Sequence, residues 1–103
     1  DKGGVTMKAS GVFMYKGITQ RDGGTFKNDK GEDVDYKSCM ILTCDEIQED
    51  GTGKERKFKF KDGQTSLVND FKSLEMYTKI EIEFELALYN NRCVVTPVAF
   101  DIL

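Results

Sequence analysis

Histidine is absent from the 103-residue chain, and with it the commonest general base and the commonest metal ligand. Cysteine is scarce. Cys39, Cys44 and Cys93 are the only soft ligands, and no two of them have the C-x-x-C spacing of a zinc knuckle or redox pair. Each lies in or beside an apolar run, so the thiols are read as reduced, mostly buried packing residues of an intracellular protein. No apolar run approaches the roughly 18 to 20 residues of a membrane helix, and none near the start follows a basic segment. A soluble, cytoplasmic protein with no signal peptide and no membrane partner is the expectation. Phosphate-cradling P-loops and the G-x-S-x-G nucleophile turn are missing too, because Gly23-Gly24 is too short and lies between strands. Asp29, Gly31, Asp33 and Asp35 lack the residue order and terminal glutamate of a calcium loop. The chain is therefore expected not to be an enzyme and to hold neither metal nor cofactor.

What is present fits one domain over residues 5–103, with Asp1-Lys2-Gly3-Gly4 read as a disordered lead-in or an expression remnant. The net charge of −3 argues against nucleic acid when taken alone, but its distribution is uneven. Residues 1–40 carry seven Lys/Arg against six Asp/Glu, residues 41–62 five against six, and residues 63–103 three against six. Within the middle block, Lys54-Glu55-Arg56-Lys57-Phe58-Lys59-Phe60-Lys61 holds five cations and one anion. A polyanion would meet a positive stripe there despite the acidic whole.

The order of strands and turns follows from periodicity. Val5 to Thr19 is a long β-type stretch interrupted by Gly11 and Gly17, apolar on both parities beyond Gly11. Such a pattern suits a bent strand shared by two halves of a barrel, with Gly11 allowing the bulge, or else a strand covered on both faces. A polar segment, Gln20 to Asp33, carries the turn signatures Asp-Gly-Gly and Asn-Asp-Lys-Gly. Val34 to Thr43 reads as a second strand, Asp45 to Gly53 as an acidic turn, and Arg56 to Lys61 as a third strand that alternates strictly. Leu67, Val68, Phe71 and Leu74 then fall at helical spacing, with Thr65 or Ser66 as N-cap, giving a helix of about three turns. Ile80 to Tyr89 is the clearest period-two segment, Asn90-Asn91 a turn, and Cys93 to Leu103 a fifth strand in which Pro97 marks an interruption or an edge.

The resulting class is all-β with one helix, in the order β-β-β-α-β-β. That is the order of a five-stranded OB-fold Greek-key barrel with its helix between strands three and four. An SH3-like barrel would lack the helix, and a helix-covered antiparallel sheet is the other layout compatible with the pattern. On the strand Val5 to Thr19, the loop Thr25 to Glu32, the strand Tyr36 to Thr43 and the closing pair Ile80 to Tyr89 and Cys93 to Ile102, the chain resembles small single-stranded DNA-binding proteins of the OB-fold type, those of phages and conjugative elements in Gram-positive bacteria. The likeness is one of layout, over nearly the whole chain, and no short motif certifies it. It implies sequence-tolerant binding of single-stranded DNA in replication, recombination or conjugative transfer, as a homodimer or tetramer and in company with replication or recombination proteins. The long acidic tail of the bacterial housekeeping proteins is missing, and Phe100-Asp101-Ile102-Leu103 is read as the last strand.

Single strands are held by cations along phosphates and aromatic faces under bases. Lys57, Lys59 and Lys61 share one side of the third strand, which must face solvent or a ligand, while Phe58 and Phe60 point inward. Phe26 in the glycine-rich loop either caps the barrel or stacks a base, with Gly23, Gly24 and Gly31 letting the loop close. Tyr36 is the second stacking candidate, and Arg21, Lys27 and Lys37 join the three lysines as phosphate contacts. Tyr15, and Tyr89 with Arg92, are secondary candidates that also read as rim packing residues. Glu81, Glu83 and Glu85 form an acidic stripe expected to lie away from the groove. The alternative function is a protein-interaction barrel that docks a basic partner without nucleic acid.

Overall fold

A computed structural model of the chain describes residues 5–89 and 91–103. The lead-in 1–4, Asn90 of the expected turn and the side chains of Val5 and Tyr89 lie outside what is described. Seven strands and one helix follow in the order β1 (Val5–Arg21), β2 (Gly24–Lys27), β3 (Asp33–Tyr36), β4 (Cys39–Ile47), β5 (Gly53–Lys59), α1 (Thr65–Lys72), β6 (Lys79–Tyr89) and β7 (Arg92–Ile102). Five of them form one antiparallel sheet in the order β5-β4-β1-β6-β7, while β2 and β3 pair only with each other. The class, mostly β with one short helix, is as expected. The sheet does not close into a barrel: β5 and β7 remain its two edges.

Its shape follows from β1. Residues Val5 to Met14 pair with β6, and Phe13 to Arg21 pair with β4, so one strand serves two ladders. The register to β4 shifts between Tyr15 and Gly17, leaving Lys16 as an extra residue, and Gly17 takes φ 133°. Such a bulge bends a strand and sharpens its twist. The bend expected at Gly11 is therefore at Lys16-Gly17. Gly11 has a different role, because a Cβ there would stand 3.0 Å from the ring of Phe13.

The bent sheet wraps an aromatic core. Phe13 meets Phe58 and Phe84 edge-on, with centroids 5.8 Å and 5.6 Å away, and Phe58 lies 4.6 Å from Phe84. Helix α1 closes the open side by burying Val68 and Phe71, and the Phe71 ring lies against Phe60, Phe100 and Tyr15. The inward reading of Phe58 and Phe60 holds, and Tyr15 is buried. The helix is eight residues, shorter than the expected three turns. Neither Thr65 nor Ser66 caps it. Gln64 occupies that position, but its side chain is used elsewhere: Oε1 accepts from the Lys61 N–H at 2.7 Å, and Nε2 donates to the Pro97 carbonyl at 2.8 Å. Pro97 itself sits beside a second register shift, in an edge strand, which spares the sheet the N–H it lacks.

The three thiols are free, as expected, but differ in setting: Cys44 is buried, Cys39 half-buried and Cys93 exposed. Burial, reinforced by Asp45 and Glu46, pushes the Cys44 thiol up from 9.0 to about 12. Cys93 should therefore react with an aromatic disulfide in the native protein, and Cys44 only on unfolding. A folded pKa above the unfolded one keeps the proton on the native thiol, so the stability it supplies is present below pH 9 and declines from there towards about 12. Phe71→Ala should cost about 3–5 kcal/mol in denaturant unfolding; a loss under about 1 kcal/mol would contradict its place at the centre of the core.

Candidate nucleic-acid interface

Register aligns outward residues into rows across three strands. Thr19 of β1 stands opposite Ile41 of β4, and Ile41 opposite Lys59 of β5. One step along, Gly17, Thr43 and Lys57 align in the same way. These rows lie on the face opposite Leu42 and Phe58, which go into the core. An open groove on this face has the side chains of Thr19, Arg21, Ile41, Lys57 and Lys59 at its lining. Arg21, Lys57 and Lys59 are exposed, and none has a carboxylate within 4.0 Å among the described residues.

The neighbouring row is acidic at first sight, because Asp45 and Glu55 stand directly opposite each other. Like charges so placed repel. The bulge answers this by projecting Lys16 between them, 3.5 Å from Asp45 and 2.9 Å from Glu55. The hydrogen bond to Glu55 and the two opposite charges outweigh desolvation and raise the Lys16 pKa. The same hydrogen bond and charge lower the Glu55 carboxyl. Lys16 thus offsets one of the two negative charges beside the groove, whose own three cations outnumber the one that remains.

From the end of β1 the chain runs directly into the β2–β3 ribbon. The segment expected to be a loop is an ordered arm, closed by Asn28, whose Oδ1 accepts the backbone N–H groups of Lys30 and Glu32 at 2.9 Å and 3.0 Å. Its two faces differ. Thr25 bonds Asp35 and Lys27 pairs with Asp33 on one side, while Phe26, Val34 and Tyr36 share the other. No core covers that second side: Phe26 is 51% and Tyr36 45% exposed, with ring centroids 6.0 Å apart. A Cβ on Gly23 would come within 2.6 Å of the Tyr36 carbonyl oxygen, and one on Gly24 within 2.8 Å of the Tyr36 hydroxyl. Both glycines let the two strands of the arm and its root pack closely.

Of the eight residues expected at the site, Arg21, Lys57 and Lys59 converge on the groove, and Phe26 and Tyr36 converge on the exposed face of the arm. Lys27 pairs with Asp33 at 3.1 Å and Lys37 with Asp62 at 3.8 Å, both in the open. Exposed pairs of this kind contribute about 0–1 kcal/mol, so a phosphate can take either lysine from its partner. Lys61 stands apart: it follows the end of β5 and pairs with Glu85 at 3.0 Å. The acidic stripe is therefore not wholly separate from the lysine run, since its last member holds Lys61. Arg92 is exposed at the start of β7. Thr19, Ile41, Thr43, Gly17 and Lys16 were not anticipated as parts of this face, because only the register reveals that they share it.

No family model, no curated protein and no solved structure matches this chain. Replacing both exposed rings of the arm, Phe26→Ala with Tyr36→Ala, should leave the denaturant unfolding midpoint nearly unchanged, because no core covers that face. A large loss of stability would mean that the rings serve packing instead.

Proposed function

We propose that the chain is an OB-fold module that binds single-stranded DNA with little regard to sequence, in replication, recombination or conjugative transfer. The observation that carries this is the groove on the outer face of β1, β4 and β5, whose three cations have no carboxylate partner among the described residues. A cation without a carboxylate needs to give up nothing to take a phosphate. The arm adds two exposed rings on one face, the second element that unpaired bases require. The OB assignment draws on the strand order β5-β4-β1-β6-β7, with the shared, bent first strand and the helix between β5 and β6. Backbone phosphates and base faces are common to every sequence, so binding of this kind discriminates single strands from duplex more than one base from another. Self-association belongs to the same proposal, with half-exposed Met7 and Leu88 on the far part of the sheet as its apolar contact.

A second reading, a module that docks a basic partner, draws on Glu81 and Glu83, which have no cation within 4.0 Å among the described residues. Charge reversal separates the two. Fluorescence anisotropy with a labelled oligothymidine should show binding that falls with salt, at a slope of about −2 in log K against log salt for three phosphates engaged. Lys57→Glu with Lys59→Glu should abolish it. Absence of salt-sensitive binding to single strands would end the proposal, and capture of a basic partner that survives the double reversal would favour the second reading.

A further inference from the structure

The two edges of the five-stranded sheet are built differently. Strand β5 carries five charged residues in seven, Lys54, Glu55, Arg56, Lys57 and Lys59, a composition that keeps other strands off an edge. Strand β7 carries two in eleven, Arg92 at its start and Asp101 one residue from its end. Between them, Cys93-Val94-Val95-Thr96 is an uncharged, mostly β-branched run of the kind that pairs readily. Cys93 and Val94 are exposed and Val95 is half-buried. An edge left open in this way is a template for another strand.

Which backbone groups the edge offers follows from one hydrogen bond. Gln64 Nε2 donates to the Pro97 carbonyl at 2.8 Å from beyond the edge, so the Pro97 backbone points away from β6. From Arg92 to Pro97 the register to β6 is unbroken, and in such a ladder alternate residues turn both N–H and C=O outward. Cys93 and Val95 therefore point outward as Pro97 does, whereas Val94 and Thr96 bond to β6. Neither Cys93 nor Val95 has a backbone partner outside the sheet among the described residues. Further along, the edge is stopped, because Pro97 has no N–H and its carbonyl is taken by Gln64. What remains is the donor and the acceptor of Cys93 and those of Val95. A second copy lying antiparallel about a twofold axis at Val94 meets all of them: Cys93 stands opposite Val95 of that copy and Val95 opposite its Cys93, each pair exchanging both bonds. Val94 then meets its own counterpart and Arg92 lies opposite Thr96, so no like charges face each other. A longer partner strand would run onto Pro97. Leu88 stands opposite Cys93 and Leu86 opposite Val95 on one face of the sheet, so this pairing also brings the apolar contacts of the two copies side by side.

We propose that the chain dimerises by pairing β7 antiparallel with β7 of a second copy, centred on Val94; the inference deepens the self-association in the reading above, and its test needs no DNA. The sheet continues from one copy into the next, and both grooves stay open because they lie on β1, β4 and β5. Sedimentation equilibrium without oligonucleotide should show a dimer. Val94→Lys sets two ammonium groups opposite each other at the axis and should raise the dimer dissociation constant about tenfold or more. The residue is 42% exposed, so the monomer fold should persist, as circular dichroism checks. Cys93→Pro removes one outward N–H and no bond to β6, and should weaken the dimer in the same way. In a Cys93→Ser background, Val94→Cys should form an intermolecular disulfide under mild oxidation, because the two positions stand about 4.5 Å apart at Cα in a non-hydrogen-bonded pair. The parent should not cross-link through Cys93, whose counterpart lies about 8 Å away on the diagonal, beyond disulfide reach. A dimer that survives Val94→Lys and fails to cross-link through Val94→Cys would overturn the β7 pairing while self-association stands. A monomer at every concentration would remove self-association as well, and oligothymidine binding by that monomer would leave the single-strand reading intact.

Discussion

The pairing of one seventeen-residue strand on both of its sides is the constraint from which the rest of this molecule follows. A strand hydrogen-bonded to β6 in its first half and to β4 in its second cannot run straight through both ladders, and the extra residue at Lys16 supplies the bend. With the bend in place, Phe13 and Tyr15 enter the core while Gly17 and Thr19 face out alongside Thr43 and Ile41. The same extra residue sends Lys16 between Asp45 and Glu55. Core geometry and surface charge thus share one local cause.

That coupling bears on how an acidic protein can present a basic surface. A net charge of −3 says little about any one face, because ion pairs withdraw some cations and leave others. Lys61 is taken up by Glu85 and Arg56 by Glu46, whereas Arg21, Lys57 and Lys59 border an open groove. The arm and the groove are also linked through the chain, since β1 ends at Arg21 and β2 begins at Gly24. Close packing at Gly23 restricts how far the arm can swing from that root.

Much of the framework was legible from residue periodicity, and the parts that were not share a physical reason. Ile80 to Tyr89 alternates over ten residues and lies within the eleven of β6, and the alternation of Phe58 and Phe60 with lysines announced which side of β5 faces the core. Gly11 and Gly17 look equivalent in the sequence; only the register of partners tells which one sits at the bulge. Only part of the arm was read as sheet: Val34 to Tyr36 fell in the expected strand Val34 to Thr43, which divides into β3 in the arm and β4 in the main sheet, while the four residues of β2 are too few for alternation to stand out from a polar loop. Salt bridges such as Lys61 to Glu85, 24 residues apart, depend on long-range placement that no local pattern encodes.

Mapping by amide chemical shifts tests the central claim most directly, because it asks where a single strand touches and not merely whether it binds. Titration of the labelled protein with oligothymidine should move resonances of Thr19 to Arg21, Ile41 to Thr43, Lys57 to Lys59 and the arm, leaving Glu81 to Glu83 still. Perturbations centred on the acidic stripe of β6, or none at saturating oligonucleotide, would contradict it.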